Sequence, residues 1–287
     1  MNKKFKNYLI LYLSFLFFIC IFVLYTKHNV GNDSTISEWL INYSGGFTKR
    51  GIIGEISIFF SRLFDQNLRD VIYTFQLFIL AVYYILVYFF FKNLYLERYF
   101  LLSIFSPIFL IYPVAETEVL ARKEVFIFVL FFLHALIPSL NNNFIRLSKL
   151  VILPLSVLVW EPVVFFLPLW IFIDFVNFKM KNYEKNFFNE IIFYFPTILI
   201  AIIFIINPLT PEEHSQMAQV LSKEFNEVCY MSCALLGDKT TIYQQFEGNF
   251  GKYSLEVFIR YFLIILIGFG PLFTLIYYSK LKTEKII

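Results

Sequence analysis

The stretch Leu150-Val151-Ile152-Leu153-Pro154-Leu155-Ser156-Val157-Leu158-Val159-Trp160-Glu161-Pro162-Val163-Val164-Phe165-Phe166-Leu167-Pro168-Leu169-Trp170-Ile171-Phe172-Ile173 decides how the rest of the chain is read. It is apolar and long enough to cross about 30 Å of hydrocarbon, which takes roughly 17–25 residues of helix. Its centre, Trp160-Glu161-Pro162, argues against a straight crossing. Proline removes a backbone donor and disfavours helix in the residue before it. Each arm is then about ten residues, or roughly 15 Å at 1.5 Å per residue, which is half a bilayer. The expected structure is a broken or re-entrant segment that enters and leaves by one face, with two thin full crossings as the alternative.

Working outward, the composition fits a membrane solvent. The 287 residues are 59% hydrophobic and 21% aromatic, with 39 Phe, and only 16% are charged; mean hydropathy is +0.69. A soluble globule is about 45–50% apolar and about 25% charged, so this chain has more apolar surface than a soluble core can absorb. The same figures exclude a disordered chain, a disulfide-stapled secreted scaffold and a nucleic-acid-binding domain. The formal net charge, +3, is small. The fold class expected is all-α, a polytopic transmembrane bundle of about 7–8 helices, forming one integral membrane domain over 1–287. Its spans are Tyr8–Tyr25, Val71–Phe91, Tyr99–Pro113, Val125–Ile137, Leu150–Ile173, Phe188–Ile206 and Val257–Tyr278. The first is a retained helix: its apolar run is longer than that of a signal peptide, and no small-residue cleavage site follows.

Basic residues of short loops set the orientation. Lys3, Lys4 and Lys6, Lys92 and Arg98, Arg146 and Lys149, Lys179 to Lys185, and Lys280 to Lys285 form five such groups. Seven simple crossings would put the last two outside, whereas a re-entrant 150–173 places all five in the cytoplasm with both termini. The outer segments are then 27–70, 114–124, the Trp160–Pro162 apex and 207–256. Most of the non-repetitive polar chemistry falls there. The Phe, Ile, Asn and Lys bias points to an AT-rich bacterial genome.

Within the first outer loop lies Asn42-Tyr43-Ser44-Gly45-Gly46-Phe47-Thr48-Lys49-Arg50-Gly51-Ile52-Ile53-Gly54-Glu55, which places four of the chain's ten glycines within ten positions. Gly45 and Gly46 permit positive φ and close approach of backbone to a ligand, and Gly51 follows the cations Lys49 and Arg50. The apolar periodicity of 52–64 predicts an amphipathic helix lying on the membrane surface. A glycine turn, two cations and a helix start together form an anion site suited to a lipid phosphate or pyrophosphate. The plainer reading is that Lys49 and Arg50 anchor an interfacial helix to headgroups.

Other charged residues add to this site. Arg122 and Lys123 sit where the positive-inside bias should deplete them, and so read as further phosphate-binding groups, with Glu116 and Glu118 as acidic partners. The plainer reading there is an exposed salt-bridged turn, worth little. Glu161, ionisable and at an intramembrane break, is a candidate general base, with Glu55 as second choice; its alternative is a carboxylate paired with Arg122 or Arg50. Cys229 and Cys233 are spaced for a disulfide outside the cytoplasm. His214 lies among acids and reads as solvated; no metal site is expected.

Residues 42–51, Arg122-Lys123-Glu124 at a helix start, and the Trp160-Glu161-Pro162 break resemble features of membrane proteins of bacterial surface-polysaccharide biosynthesis. These are relatives of the lipid-linked-sugar glycosyltransferases of the C superfamily and of the O-antigen polymerases. The resemblance covers three short patches and the span pattern, and the chain is short for either family. It implies transfer or polymerisation of sugars from an undecaprenyl-phosphate or -pyrophosphate carrier at the outer face of the bacterial inner membrane, with a polyprenyl-linked saccharide donor, a glycan acceptor, the lipid bilayer and glycan-assembly proteins as partners. No cofactor is called for. The chain lacks the Asp-x-Asp of the metal-using branch, although Glu116-Thr117-Glu118 is a stand-in that leaves a divalent metal open. A transporter or flippase of lipid-linked glycan and a non-catalytic assembly subunit are the rival readings.

Overall fold

The computed structural model describes residues 3–30, 33–92, 120–136, 146–180, 191–207, 209–236, 247, 254–263 and 265–266. Every regular element among them is a helix. In α1 (Lys3–Val30), Leu9, Leu13, Leu16, Cys20 and Leu24 are buried at three- and four-residue spacing, while Tyr8, Leu11, Phe15, Phe18 and Phe22 on the other side are exposed. The helix is therefore two-sided in packing although apolar all round. α1 lies against α3 (Leu68–Phe91), and α3 against α4 (Val125–Leu136).

Between α1 and α3 runs α2 (Gly51–Phe64), within a residue of the amphipathic helix expected over 52–64. Its buried stripe is not apolar bulk but small residues: Gly51, Gly54, Ser57 and Ser61, with Ile58. Phe59, Leu63 and Phe64 face outward. A Cβ on Gly54 would lie 1.9 Å from the Ile41 carbonyl oxygen, so the helix and the chain before it touch backbone to backbone.

The decisive stretch does break. A π-turn over Ser148–Ile152 leads into α5 (Leu153–Val159), Trp160 is extended at φ −158° and ψ 102°, a 3-10 turn covers Glu161–Phe166, and α6 (Leu167–Met180) follows. The extended residue lies two before Pro162 rather than one. Trp160 still closes α5 through its N–H to the Ser156 carbonyl (2.9 Å), and its own carbonyl accepts from Val163 (3.2 Å). α7 (Phe195–Ile206) packs on α5, and α8 (Pro211–Phe225) carries a capping box between Thr210 and Glu213.

Two apolar clusters meet at α4. Val125, Val129 and Phe132 belong to the cluster with α1, α3 and α8, whereas Ile127 and Leu130 belong to the cluster with α5, α6 and α7. α1 (over 6–29) and α3 are long and apolar enough to cross a membrane; Val125–Leu136, Ser148–Val159 and Ile192–Phe204 are apolar but shorter. The count of seven to eight full spans is therefore not matched by helix length among the described residues. Twelve residues of helix reach only about 18 Å, and the π- and 3-10 turns divide the longer runs. Tyr99–Pro113 lies outside the described residues, as does most of Val257–Tyr278.

Candidate functional site

Three separate pieces of chain meet at one group of charges. Arg50 ends the first outer loop at φ +62° and caps α2; Arg122, Lys123 and Glu124 lead into α4; Glu161 begins the 3-10 turn after the break. The Arg50 guanidinium forks onto Glu161, Nε to Oε2 at 2.7 Å and Nη2 to Oε1 at 2.9 Å, and its Nη1 donates to Glu38 Oε1 at 3.0 Å. Arg122 Nη2 donates to the same Glu38 oxygen at 2.9 Å and lies 3.1 Å from Glu124 Oε1. The result is an alternating chain, Glu161–Arg50–Glu38–Arg122–Glu124, with Lys49 Nζ 3.6 Å from Glu161 at its open end. Such bidentate, charge-assisted contacts fix orientation as well as charge.

Exposure sorts these residues by role. The Lys49 side chain is 45% exposed, and those of Arg50 and Glu161 are each 21% exposed. Glu38 is fully buried, yet its Oε2 has no hydrogen-bond partner among the described residues, and neither do Glu124 Oε2 and Arg122 Nε. Lys123, expected to meet a phosphate, is also fully buried. Its ammonium donates to the Arg50 carbonyl and holds the left-handed turn there. Burial pushes the Lys123 ammonium down to about 7, with Glu38 pulling it back up and Arg50 adding to the fall. Burial and the neighbouring Glu38 raise the Glu124 carboxyl. For Arg50, burial opposes the charge but the Glu161 contact outweighs it, and the guanidinium is held more firmly protonated.

The glycines have protein neighbours in place of a ligand. A Cβ on Gly45 would lie 1.8 Å from the Glu213 carbonyl oxygen, one on Gly46 (φ +149°) 2.9 Å from Glu213 Oε1, and one on Gly51 2.2 Å from the Tyr43 ring. The Gly45-Gly46 turn thus seats the first turn of α8, and Gly51 makes room for an aromatic ring. Glu55 accepts the Tyr43 N–H at 3.0 Å and holds the turn rather than joining the charge chain. Glu116 and Glu118 lie outside the described residues.

Around this site the loops are tied together. The Tyr230 hydroxyl donates to the Asp33 carbonyl at 2.8 Å and accepts its N–H at 2.9 Å, Arg69 pairs with Glu227, and Arg62 with Glu224. Cys229 and Cys233 form a disulfide with Cα atoms 5.2 Å apart. His214 Nε2 lies 3.4 Å from Cys229 Sγ. The His214, Cys229 and Cys233 donors fall within 4.8 Å of one another, but the two sulfurs are bonded to each other, so the group offers a metal one ligand.

Two features lay outside the sequence reading. Glu38, the hub, precedes a buried Trp39 and carries no motif; the need of Lys49 and Arg50 for a counter-charge was the available signal. The second is a buried ionic group inside the α5–α7 cluster. His134 Nε2 is 2.9 Å from Asp174 Oδ1, the Tyr194 hydroxyl donates to Asp174 Oδ2 at 2.6 Å, and Lys149 pairs with the same oxygen. An ionisable His134 within an otherwise apolar segment was its sequence signal. No protein-family model, curated protein or solved structure matches the chain.

Proposed function

We propose that the chain is a multi-pass protein of the bacterial inner membrane, with both termini cytoplasmic. In this reading it binds a polyprenyl-phosphate- or pyrophosphate-linked saccharide at the outer face and transfers or polymerises its sugar. The observation that carries this is the convergence of Arg50, Arg122 and Glu161, from three segments assigned to the outer side, into one charge chain whose end at Lys49 is open to solvent. The membrane setting is supported by the outward rows of Phe, Leu and Ile on α1, α2 and α7, a contiguous apolar exposure that soluble monomers avoid. The resemblance of residues 42–51, 122–124 and 160–162 to lipid-linked glycan enzymes supports the substrate class.

In this reading Lys49 and Arg50 bind the phosphate group and Glu161 is the base. The acceptor hydroxyl oxygen attacks the anomeric carbon while the bond from that carbon to the phosphate oxygen breaks. The hydroxyl proton passes to the Glu161 carboxylate, and the phosphate leaves with its charge neutralised by Lys49 and Arg50. Stabilising that developing charge where water is scarce is the largest catalytic contribution. Arg122 and Lys123 position Arg50, through Glu38 and through the Arg50 carbonyl. The buried Asp174 group favours a second reading, a flippase in which a membrane-embedded carboxylate couples to ions.

The test is surface-glycan profiling in a deletion strain complemented with wild type, Arg50→Ala, Arg122→Ala and Glu161→Gln at matched membrane abundance. Loss of the chain-length ladder, restored by wild type alone, is expected. A normal ladder in the deletion strain, or full rescue by every variant, sinks the enzyme reading and leaves a non-catalytic subunit. Undiminished glycosidic bond formation with substrate stranded inside favours the flippase.

A further inference from the structure

Arg50 has a fixed back and an exchangeable front. At the back, Nη1 is held by Glu38, whose other arginine, Arg122, fixes it in turn, and the main chain at Arg50 is held by the Lys123 ammonium. These anchors are buried or mostly buried. At the front, the parallel donors Nε and Nη2 both go to the two oxygens of Glu161, which, with Lys49, borders solvent. This fork is the pattern by which arginine takes two oxygens of a phosphate as readily as two of a carboxylate. A phosphate arriving at Lys49 meets an arginine already aimed and mostly buried, but occupied.

We propose that Glu161 is an internal stand-in for the anion. A phosphate or pyrophosphate group displaces the Glu161 carboxylate from Arg50 and takes its place against Nε, Nη2 and Lys49, with no covalent change. The orientation of Arg50 survives the exchange because Glu38 and Lys123 hold it from behind. The displaced Glu161 is left beside the bound ligand without its cation, where it is a stronger proton acceptor than when paired. Anion binding and the release of the base are then one event. This rests on the reading of the site as a phosphate site, and it adds a sign that an ordinary ligand-contacting residue does not have: removing Glu161 tightens binding.

The test uses the full chain in phosphatidylcholine nanodiscs, with inorganic pyrophosphate titrated calorimetrically. Glu161→Gln is expected to bind pyrophosphate roughly tenfold more tightly than wild type, the scale of removing one charged competitor for a partly exposed arginine. Glu161→Asp keeps the charge but is one methylene shorter and reaches the fork less well, so it tightens binding by less and serves if the Gln variant does not fold. Arg50→Ala abolishes binding. Unchanged or weaker binding by both Glu161 variants, or retained binding by Arg50→Ala, overturns the exchange. So does an absence of binding in every variant; a glycan ladder that still depends on Arg50 then leaves the enzyme reading standing. Adding polyprenyl phosphate to the nanodiscs separates the sources of the anion. Competition with pyrophosphate supports a lipid-linked ligand. No competition assigns the site to soluble phosphate, which overturns the lipid-linked donor but not the exchange.

Discussion

Glu38 and Lys123 show what enclosure does to a charge. Glu38 is the shared counter-ion of Arg50 and Arg122 and is fully buried, so Glu38→Gln strands two partly buried guanidinium groups. Breaking a buried pair from one side costs about 3–5 kcal/mol. Glu38→Gln should therefore lower the thermal midpoint of the purified protein more than Glu161→Gln does; equal shifts would remove Glu38 from the hub. Lys123 titrates near 7 in the fold against an ordinary value of 10.5. Between those values the unfolded chain holds more protons than the folded one, so stability rises with pH from about 7 towards 10. Below 7 the full cost of the buried ammonium is present. A melting series at pH 7, 8 and 9 should show midpoints climbing by the equivalent of at most about 1.4 kcal/mol per pH unit, and Lys123→Met should flatten the climb. Glu38 sits in a stretch with no signature, because a counter-ion needs only to be near in space.

At the scale of elements, the glycines of the first outer loop were visible and their purpose was not. Density of glycine reports that backbone approaches something, but not whether that is a ligand or another part of the chain. The neighbours turn out to be Glu213 of α8, the Tyr43 ring and the Ile41 carbonyl. Gly54→Ala and Gly45→Ala each place a methyl against main chain, which cannot rotate aside, and each should cost about 1–3 kcal/mol, read as a lower thermal midpoint. A midpoint unchanged or raised, as follows when alanine merely reduces the freedom of the unfolded chain, would contradict the packing of α2 and α8. The break after α5 was legible to within two residues, since proline acts through local sterics.

For the whole molecule, the arrangement predicts sidedness. Residues 33–69 and 209–236 are bound to each other through Tyr230–Asp33, Arg62–Glu224 and Arg69–Glu227, so they must share a face. Reporter fusions should place both outside and Lys179 inside; opposite placement of the two tied segments would refute the fold. In spheroplasts, a membrane-impermeant maleimide should label Cys229 only after reduction, since its sulfur is held by Cys233. Cys20, buried in α1 against Tyr84, should stay unlabelled in either condition. Labelling before reduction would place 229–233 without its disulfide.

By itself the sequence determined the helical class, two long apolar helices among the seven spans it counted, the helix over 52–64 and the interruption at 160–162. All of these follow from local composition, periodicity and proline geometry, which act within a few residues. It also marked out Lys49, Arg50, Arg122, Lys123 and Glu161 as charges in unusual places. Only the tertiary structure decided which of them share a site and in what capacity: Arg50 as the fork, Glu161 as its partner, Lys123 as a buried strut, Glu38 as an unsuspected hub. It likewise turned Gly45, Gly46 and Gly51 from ligand contacts into packing contacts and joined His134, Lys149, Asp174 and Tyr194 in one cluster. Pairing between charges depends on distance in space, and residues 38, 50, 122 and 161 are brought together by helix packing that no local pattern encodes.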